Sequence, residues 1–262
     1  MAYQFIQYKK QDHITYITID RPKQLNALHP PANFEMRKAF NHFKNDTDAW
    51  VAILTGTGNK SFSSGNDLGY HAIHGVPGEP YPEADVHPFG GITSDFTCWK
   101  PIIAAINGYA LGGGLELALA CDIIVAADHA KLGLPEPRVG LVSSAGATNR
   151  LPKQVPYKIA MGMLLTGKQI TAQEAYQWGL VNEVVACEDL IPNAERWAKE
   201  ILKCAPLSIR ATKQMATLGL DLPLDESVRL NHSEYEKAIN SQDFLRGPKA
   251  FIEKRSLKWE GI

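Results

Sequence analysis

The sequence predicts an α/β fold, helices packed on a largely parallel sheet, and three observations carry that reading. Short apolar runs recur at 50–55 (WVAILT), 102–106 (IIAAI) and 123–127 (IIVAA), each closed by a turn, as buried parallel strands require. A glycine-rich turn and a helix-forming stretch, 115–120, separate the last two runs. After residue 185 the texture changes to long helical periodicity.

In chain order, residues 13–20 (HITYITID) alternate β-branched or aromatic with polar side chains and stop at Arg21-Pro22, which predicts a half-buried strand. Leu28-His29-Pro30-Pro31 stops any earlier element. Phe34, Met36, Phe40 and Phe43 then recur at near-helical spacing as far as Asn45-Asp46, predicting an amphipathic helix before the 50–55 strand. Residues 71–89 are rich in Pro, Gly and His and show neither period, which predicts a mobile surface insertion beside a site. Helices are expected over 190–202 and 208–218, with two or three more beyond Asp221. The division that follows is a core over 1–200 and a helical C-terminal region over 201–262.

Composition narrows the function classes. The 27 Lys and Arg residues balance 28 Asp and Glu, a net charge of −1, so no footprint for nucleic acid or an anionic membrane is visible. With 45% apolar and 21% charged residues, the chain is globular rather than disordered or low-complexity. Its longest uncharged stretch, 101–115, contains four glycines and is shorter than the roughly 20 apolar residues that span a bilayer. Residues 1–6 resemble neither a secretory nor an organellar leader, so a cytoplasmic location is expected. Four cysteines without a C-x-x-C pair make neither a disulfide framework nor a zinc pattern. The grouping of His71, His74, His87 and Asp85 is too irregular for a metal site, and no metal is expected.

Chemistry concentrates at two small-residue loops and two carboxylates. Gly112-Gly113-Gly114 would weaken a helix interior and so belongs before the helix start, as a tight strand-to-helix turn or as a cradle of free N–H groups for an oxyanion. Ser63-Ser64-Gly65-Asn66-Asp67 is either a plain turn or a second source of such a donor. Glu116, in the first turn of the expected helix, either complements the helix dipole or carries protons. Glu136, between two prolines, is a solvated loop charge or the partner of Glu116 in moving protons of a shared water. No G-x-S-x-G elbow and no nucleotide-phosphate fingerprint is present.

In order and spacing, Asp20-Arg21-Pro22-Lys23-Gln24-Leu25-Asn26-Ala27-Leu28, Phe62-Ser63-Ser64-Gly65-Asn66-Asp67-Leu68, Ile106 through Ala118 and Gly133-Leu134-Pro135-Glu136 resemble the enoyl-CoA hydratase/isomerase family, the crotonases. The resemblance continues through Leu165-Thr166-Gly167-Lys168, Ala172-Gln173-Glu174-Ala175 and Trp178 to Asn182, and ends in Phe251-Ile252-Glu253-Lys254-Arg255. It implies a crotonase-like spiral of β-β-α units with a helical C-terminal oligomerisation region, forming trimers or hexamers. It also implies an acyl-CoA substrate, with coenzyme A part of the substrate and no separate cofactor. The thioester oxygen would accept from the N–H groups of Asn66 and Gly113. Glu116 would hold and activate water for the β-carbon and Glu136 would protonate the α-carbon, which makes an enoyl-CoA hydratase the expected activity. The alternatives are a 3,2-enoyl-CoA isomerase, a carnitinyl-CoA dehydratase-like member, and a non-catalytic CoA- or RNA-binding one. Substrate contacts carried over by motif are Lys23 and Ala27, then Ser64, Gly65, Asp67 and Leu68, with Gly112, Leu134, Ser144 and Lys254 farther along. Two departures leave the acyl group open: Ser143-Ser144 stand where a Pro-Gly pair is usual, and 71–89 differs in length and composition.

Overall fold

The computed structural model describes residues 3–74 and 88–262. Among them ten strands form two sheets. The larger is ordered β1 (Ile6–Gln11), β2 (Ile14–Ile19), β3 (Val51–Gly56), β5 (Ile102–Ile106), β7 (Ile123–Ala127) and β10 (Glu183–Val185). The smaller is ordered β4 (Ser61–Ser63), β6 (Tyr109–Leu111), β8 (Lys131–Gly133) and β9 (Gln169–Thr171). β1 runs antiparallel to β2, whereas β2 through β10 pair in parallel. The chain leaves β3, β5 and β7 by tight corners into β4, β6 and β8, so each pair is one turn of a spiral. The helix Leu68–His74 follows β4, the helix Gly113–Leu119 follows β6, and a 3-10 turn Glu136–Val139 follows β8. Because β4, β6 and β8 are adjacent and parallel, these three continuations emerge at one sheet edge, about 4.8 Å apart per strand. That edge carries the residues of interest.

Side-chain amides hold the corners. Buried Asn107 donates to the carbonyls of Gly56 (2.8 Å) and Gly58 (2.7 Å) and accepts from Gly56 N–H (3.1 Å). Asn26, also buried, donates to Ser61 O (2.6 Å) and accepts from Arg21 N–H (3.0 Å). Backbone groups that a corner takes out of the ladder are thereby satisfied.

The helix Pro30–Asn45 buries Met36, Phe40 and Phe43 in the main core. On the large sheet's other face the helix Leu190–Leu202 sets Leu190, Ala194 and Ala198 against Ile53, Ile103 and Val125. With both faces covered, β5 and β7 can be apolar throughout and β3 over Val51–Leu54, which is why the sequence marks them so plainly. The expected strands at 102–106 and 123–127 match to the residue. β1 is not foreseen, because this edge strand, IQYKKQ, buries only Ile6 and offers no apolar run. The helix expected after the two prolines begins at Pro30 itself, since proline in a first helical turn forfeits no intrahelical bond. The short strands of the small sheet are three residues each, too short to display a period.

After Asp221, three described helices follow, at Leu224–Ser227, Ser233–Ile239 and Gln242–Ile252. Leu207, Ala211 and Ala238 form a small core of their own. The chain end folds back, with Trp259 Nε1 donating to Lys203 O (2.7 Å) and Gln242 N–H to Ile262 O (2.9 Å). Of the expected insertion 71–89, residues 71–74 complete the helix Leu68–His74 and Phe89–Gly91 form a 3-10 turn; 75–87, with Asp85 and His87, lie outside the described residues. No described helix is long and apolar enough to cross a membrane.

Candidate active site

Only Gly112 of the glycine triplet precedes the helix. It takes φ 55°, ψ −128°, open to glycine, while Gly113 and Gly114 fill the first helical turn. Close approach explains why the turn tolerates them: a Cβ on Gly114 would lie 2.0 Å from Ser63 O, and one on Gly113 would lie 2.6 Å from the Phe89 ring. Gly65, at φ 90°, is pressed on the same place, since its absent Cβ would lie 2.8 Å from Gly113 N. The two small-residue loops are therefore in contact. Asn66 forms an isolated parallel bridge with Leu28, in which Leu28 N–H donates to Gly65 O (2.8 Å) and Asp67 N–H to Leu28 O (3.1 Å). That pattern turns the intervening Asn66 N–H away from Leu28. Gly113 N–H, first in its helix, has no intrahelical acceptor. Neither group has an acceptor among the described residues.

Two carboxyls complete the group. Glu136 Oε1 would sit 3.1 Å from a Cβ on Gly112, so this carboxyl lies over the start of the helix, and its buried Oε2 has no hydrogen-bond partner among the described residues. Glu116 is 3% exposed, and its Oε1 accepts Ala147 N–H at 3.0 Å. Burial pushes the Glu116 pKa from 4.5 up to about 7, with the charge of Glu136 adding to the rise; N–H groups of Ala147 and Ala145 and the Arg150 guanidinium act the other way. Dipole complementation alone would leave this side chain solvated and unshifted. A buried, proton-holding carboxyl beside a second one is instead the arrangement of a proton-transfer pair.

A stability signature follows. The folded protein holds the Glu116 proton until about pH 7, while the unfolded chain releases it near pH 4.5, so folded chains bind more protons in between and stability falls as pH rises across that window. The displacement amounts to about 3 kcal/mol. Thermal unfolding of Glu116→Gln is expected to match the parent near pH 4.5 and to exceed it by roughly that amount above pH 7; equal stability at both pH values would refute the shift.

The structure places the other sequence-predicted residues as follows. Ser64 N–H donates to Leu25 O (3.1 Å) and its hydroxyl to Gln24 O (3.4 Å), joining the second loop to the first motif. Buried Ala27 accepts the Arg21 guanidinium through its carbonyl. Asp67 is engaged within the protein, pairing with Arg21 (2.8 Å) and accepting Tyr70 N–H (3.0 Å) at the start of the helix Leu68–His74. Leu68 is exposed and Leu134 fully buried. Ser144 is exposed on a turn in which its N–H donates to Val142 O (2.8 Å), whereas Ser143 is buried. Lys23, on the 3-10 turn Pro22–Gln24, and Lys254, past the helix Gln242–Ile252, are exposed and without ion pairs among the described residues. Ser64, Gly65, Asn66, Gly112, Gly113, Glu116 and Glu136 thus form one neighbourhood, and no hydrogen bond joins Lys23 or Lys254 to it.

Phe89, Ala147 and Arg150 escape the sequence reading. Phe89 stands at the end of a stretch without a period. Ala147 acts through its main chain. Arg150 did carry a signal: no acidic residue stands three or four positions from it on its helix, Ala147–Gln154.

A family model described as enoyl-CoA hydratase/isomerase matches residues 9–262. Carnitinyl-CoA dehydratase of Salmonella arizonae is 44% identical over 254 residues, 95% of each chain. Enoyl-CoA hydratase from Bacillus anthracis is similar in structure with a TM-score of 0.90 and 34% identity, covering 99% of this chain and 100% of that one. The enoyl-CoA hydratase of Mycobacterium tuberculosis H37Rv gives 0.87 and 35%, over 98% and 99%.

Proposed function

Because the chain belongs to the enoyl-CoA hydratase/isomerase family, we propose that it adds water reversibly across the double bond of a trans-2-enoyl-CoA to give a 3-hydroxyacyl-CoA. The observation that carries this reading is the meeting of Glu116 and Glu136 beside two N–H groups without acceptors among the described residues. Hydration starts from the form of the pair whose one proton sits on Glu136, so that Glu116 can take a proton from water as the water oxygen bonds to the β-carbon. The double-bond electrons move onto the thioester oxygen, held by Asn66 N–H and Gly113 N–H, where one donor is worth about 3 kcal/mol. The enolate then collapses and its α-carbon takes a proton from Glu136. Dehydration retraces these steps, so a dehydratase of a 3-hydroxyacyl-CoA needs the same site, and the relative's name makes carnitinyl-CoA the first such substrate to try.

Both directions use a pair of carboxyls carrying one proton between them, and the reaction neither takes up nor releases protons. The kcat/KM profiles for hydration and dehydration therefore coincide. Their upper limb is expected near pH 7, where the pair loses its remaining proton, a value belonging to the pair rather than to one residue. Following the conjugated thioester's absorbance with crotonyl-CoA, its 3-hydroxy counterpart and carnitinyl-CoA tests this. Conversion of a 3-enoyl thioester without water uptake, and no hydration, would replace the reading with an isomerase.

Assembly into trimers or hexamers is part of the proposal. Leu220, Leu224, Val228, Phe251 and Ile252 are each more than two-thirds exposed in the single chain, an apolar surface of the kind subunits cover. Sedimentation equilibrium measures it directly, and a single-chain mass would reject it.

A further inference from the structure

We propose that Arg150 is a positioning residue of this site: it braces the two segments that shape it and supplies the positive charge facing Glu116. The inference rests on the hydratase reading for its kinetic consequence, but not for its geometry.

Arg150 Nη2 donates to Thr93 O at 2.8 Å, and Nη1 reaches Ala145 O at 3.5 Å. Thr93 Oγ1 in turn donates to Phe89 O (2.9 Å), and the Phe89 ring lies where a Cβ on Gly113 would be. Ala145 and Ala147 supply the N–H groups that steady the Glu116 carboxyl. One guanidinium thus ties the turn against the Gly113 donor to the segment holding the acid. The fit is close, for a Cβ on Gly146 would lie 2.0 Å from Nη1, and Gly146 sits at φ 110°.

Its charge is the second half of the argument. Arg150 is half-buried and forms no ion pair among the described residues. Holding an unpaired guanidinium away from water is costly, so its surroundings must offset that cost. The groups acting on it are Glu116, which favours its charge, and Cys121. Those acting on Glu116 are Glu136, from the turn after β8, and Arg150, from the helix Ala147–Gln154. Against these two carboxyls Arg150 sets a positive charge. Removing it leaves Glu116 holding its proton to higher pH, so the pair keeps its single proton longer.

Arg150→Gln keeps hydrogen-bond donors without charge, and Arg150→Lys keeps charge without the fork. Carboxyl titration in the ligand-free protein, by infrared difference against Glu116→Gln, reads the charge. We expect the Glu116 midpoint to rise by roughly a few tenths of a pH unit in Arg150→Gln, the size of a weak charge contribution, and to stay near its parent value in Arg150→Lys. The upper limb of kcat/KM should move with it, and kcat should fall about 10- to 100-fold in both variants with KM little changed, as loss of the brace misplaces the reacting groups. An unmoved midpoint in a folded Arg150→Gln overturns the proposal; if that variant does not fold, a raised midpoint in Arg150→Lys overturns it. A protein without hydratase activity whose midpoint still moves would reject the reaction and leave the placement of Arg150 standing.

Discussion

Replacing Glu116 by glutamine is expected to lower kcat for hydration of crotonyl-CoA by a factor of about 100 to 10,000, with KM for the thioester nearly unchanged. The amide oxygen introduced by Glu116→Gln would still accept from Ala147 N–H, so the change removes proton transfer and leaves the local fold. Glu136→Gln should cost a similar factor, because the enolate cannot be protonated at the α-carbon. The double variant should be little worse than either single one, since the two groups complete one process. Steady-state absorbance at the enoyl thioester reads all three, and unchanged turnover in both single variants would sink the mechanism.

Gly65→Ala attacks the other half of the site without touching a carboxyl. The added methyl would sit 2.8 Å from both Gly113 N and Leu111 O, at a backbone φ of 90° that L-residues rarely adopt. Relief must come by separating the loop that carries Asn66 from the helix that carries Gly113. We expect a 100- to 1,000-fold loss of kcat, about that of losing one oxyanion donor, and a loss of stability of about 1 to 3 kcal/mol from the strained backbone. The expected discriminator is the infrared carbonyl band of a bound unreactive acyl-CoA, shifted toward its frequency in water. An undisturbed band in a folded Gly65→Ala would show that the two N–H groups do not hold the thioester.

What could be read in advance, and what could not, divides along physical lines. β5 and β7 were legible because burial on both faces makes every residue apolar, and the two glutamates because charged residues rarely stand among Gly, Leu and Pro without cause. β1 was hidden by solvent on its exposed side, and the small sheet by its three-residue strands. Those hidden strands decide the site, since β4, β6 and β8 are what bring Asn66, Gly113 and Glu136 to one edge. Main-chain groups that do the work also stayed out of sight, as with the Thr93 O that Arg150 reaches and the Ala147 N–H on Glu116. Asp67 shows the converse: a polar residue beside a functional loop, conspicuous in the motif, whose carboxylate is taken up by Arg21 and Tyr70.

The corners of the spiral have a consequence for how such a protein can change over generations. Asn66 and Gly113 would polarise a carbonyl through the main chain, in positions set by strand ends and the buried amides of Asn26 and Asn107. No point substitution other than one to proline can delete a main-chain N–H; one can only be misplaced, by a change that forces the loops apart as Gly65→Ala would. Glu116 and Glu136, the proposed proton carriers, are in contrast ordinary side chains on two separate turns of the spiral, and each is one codon away from another identity. Descendants of this chain would therefore diverge first in the fate of the enolate, and only last in the capacity to form one.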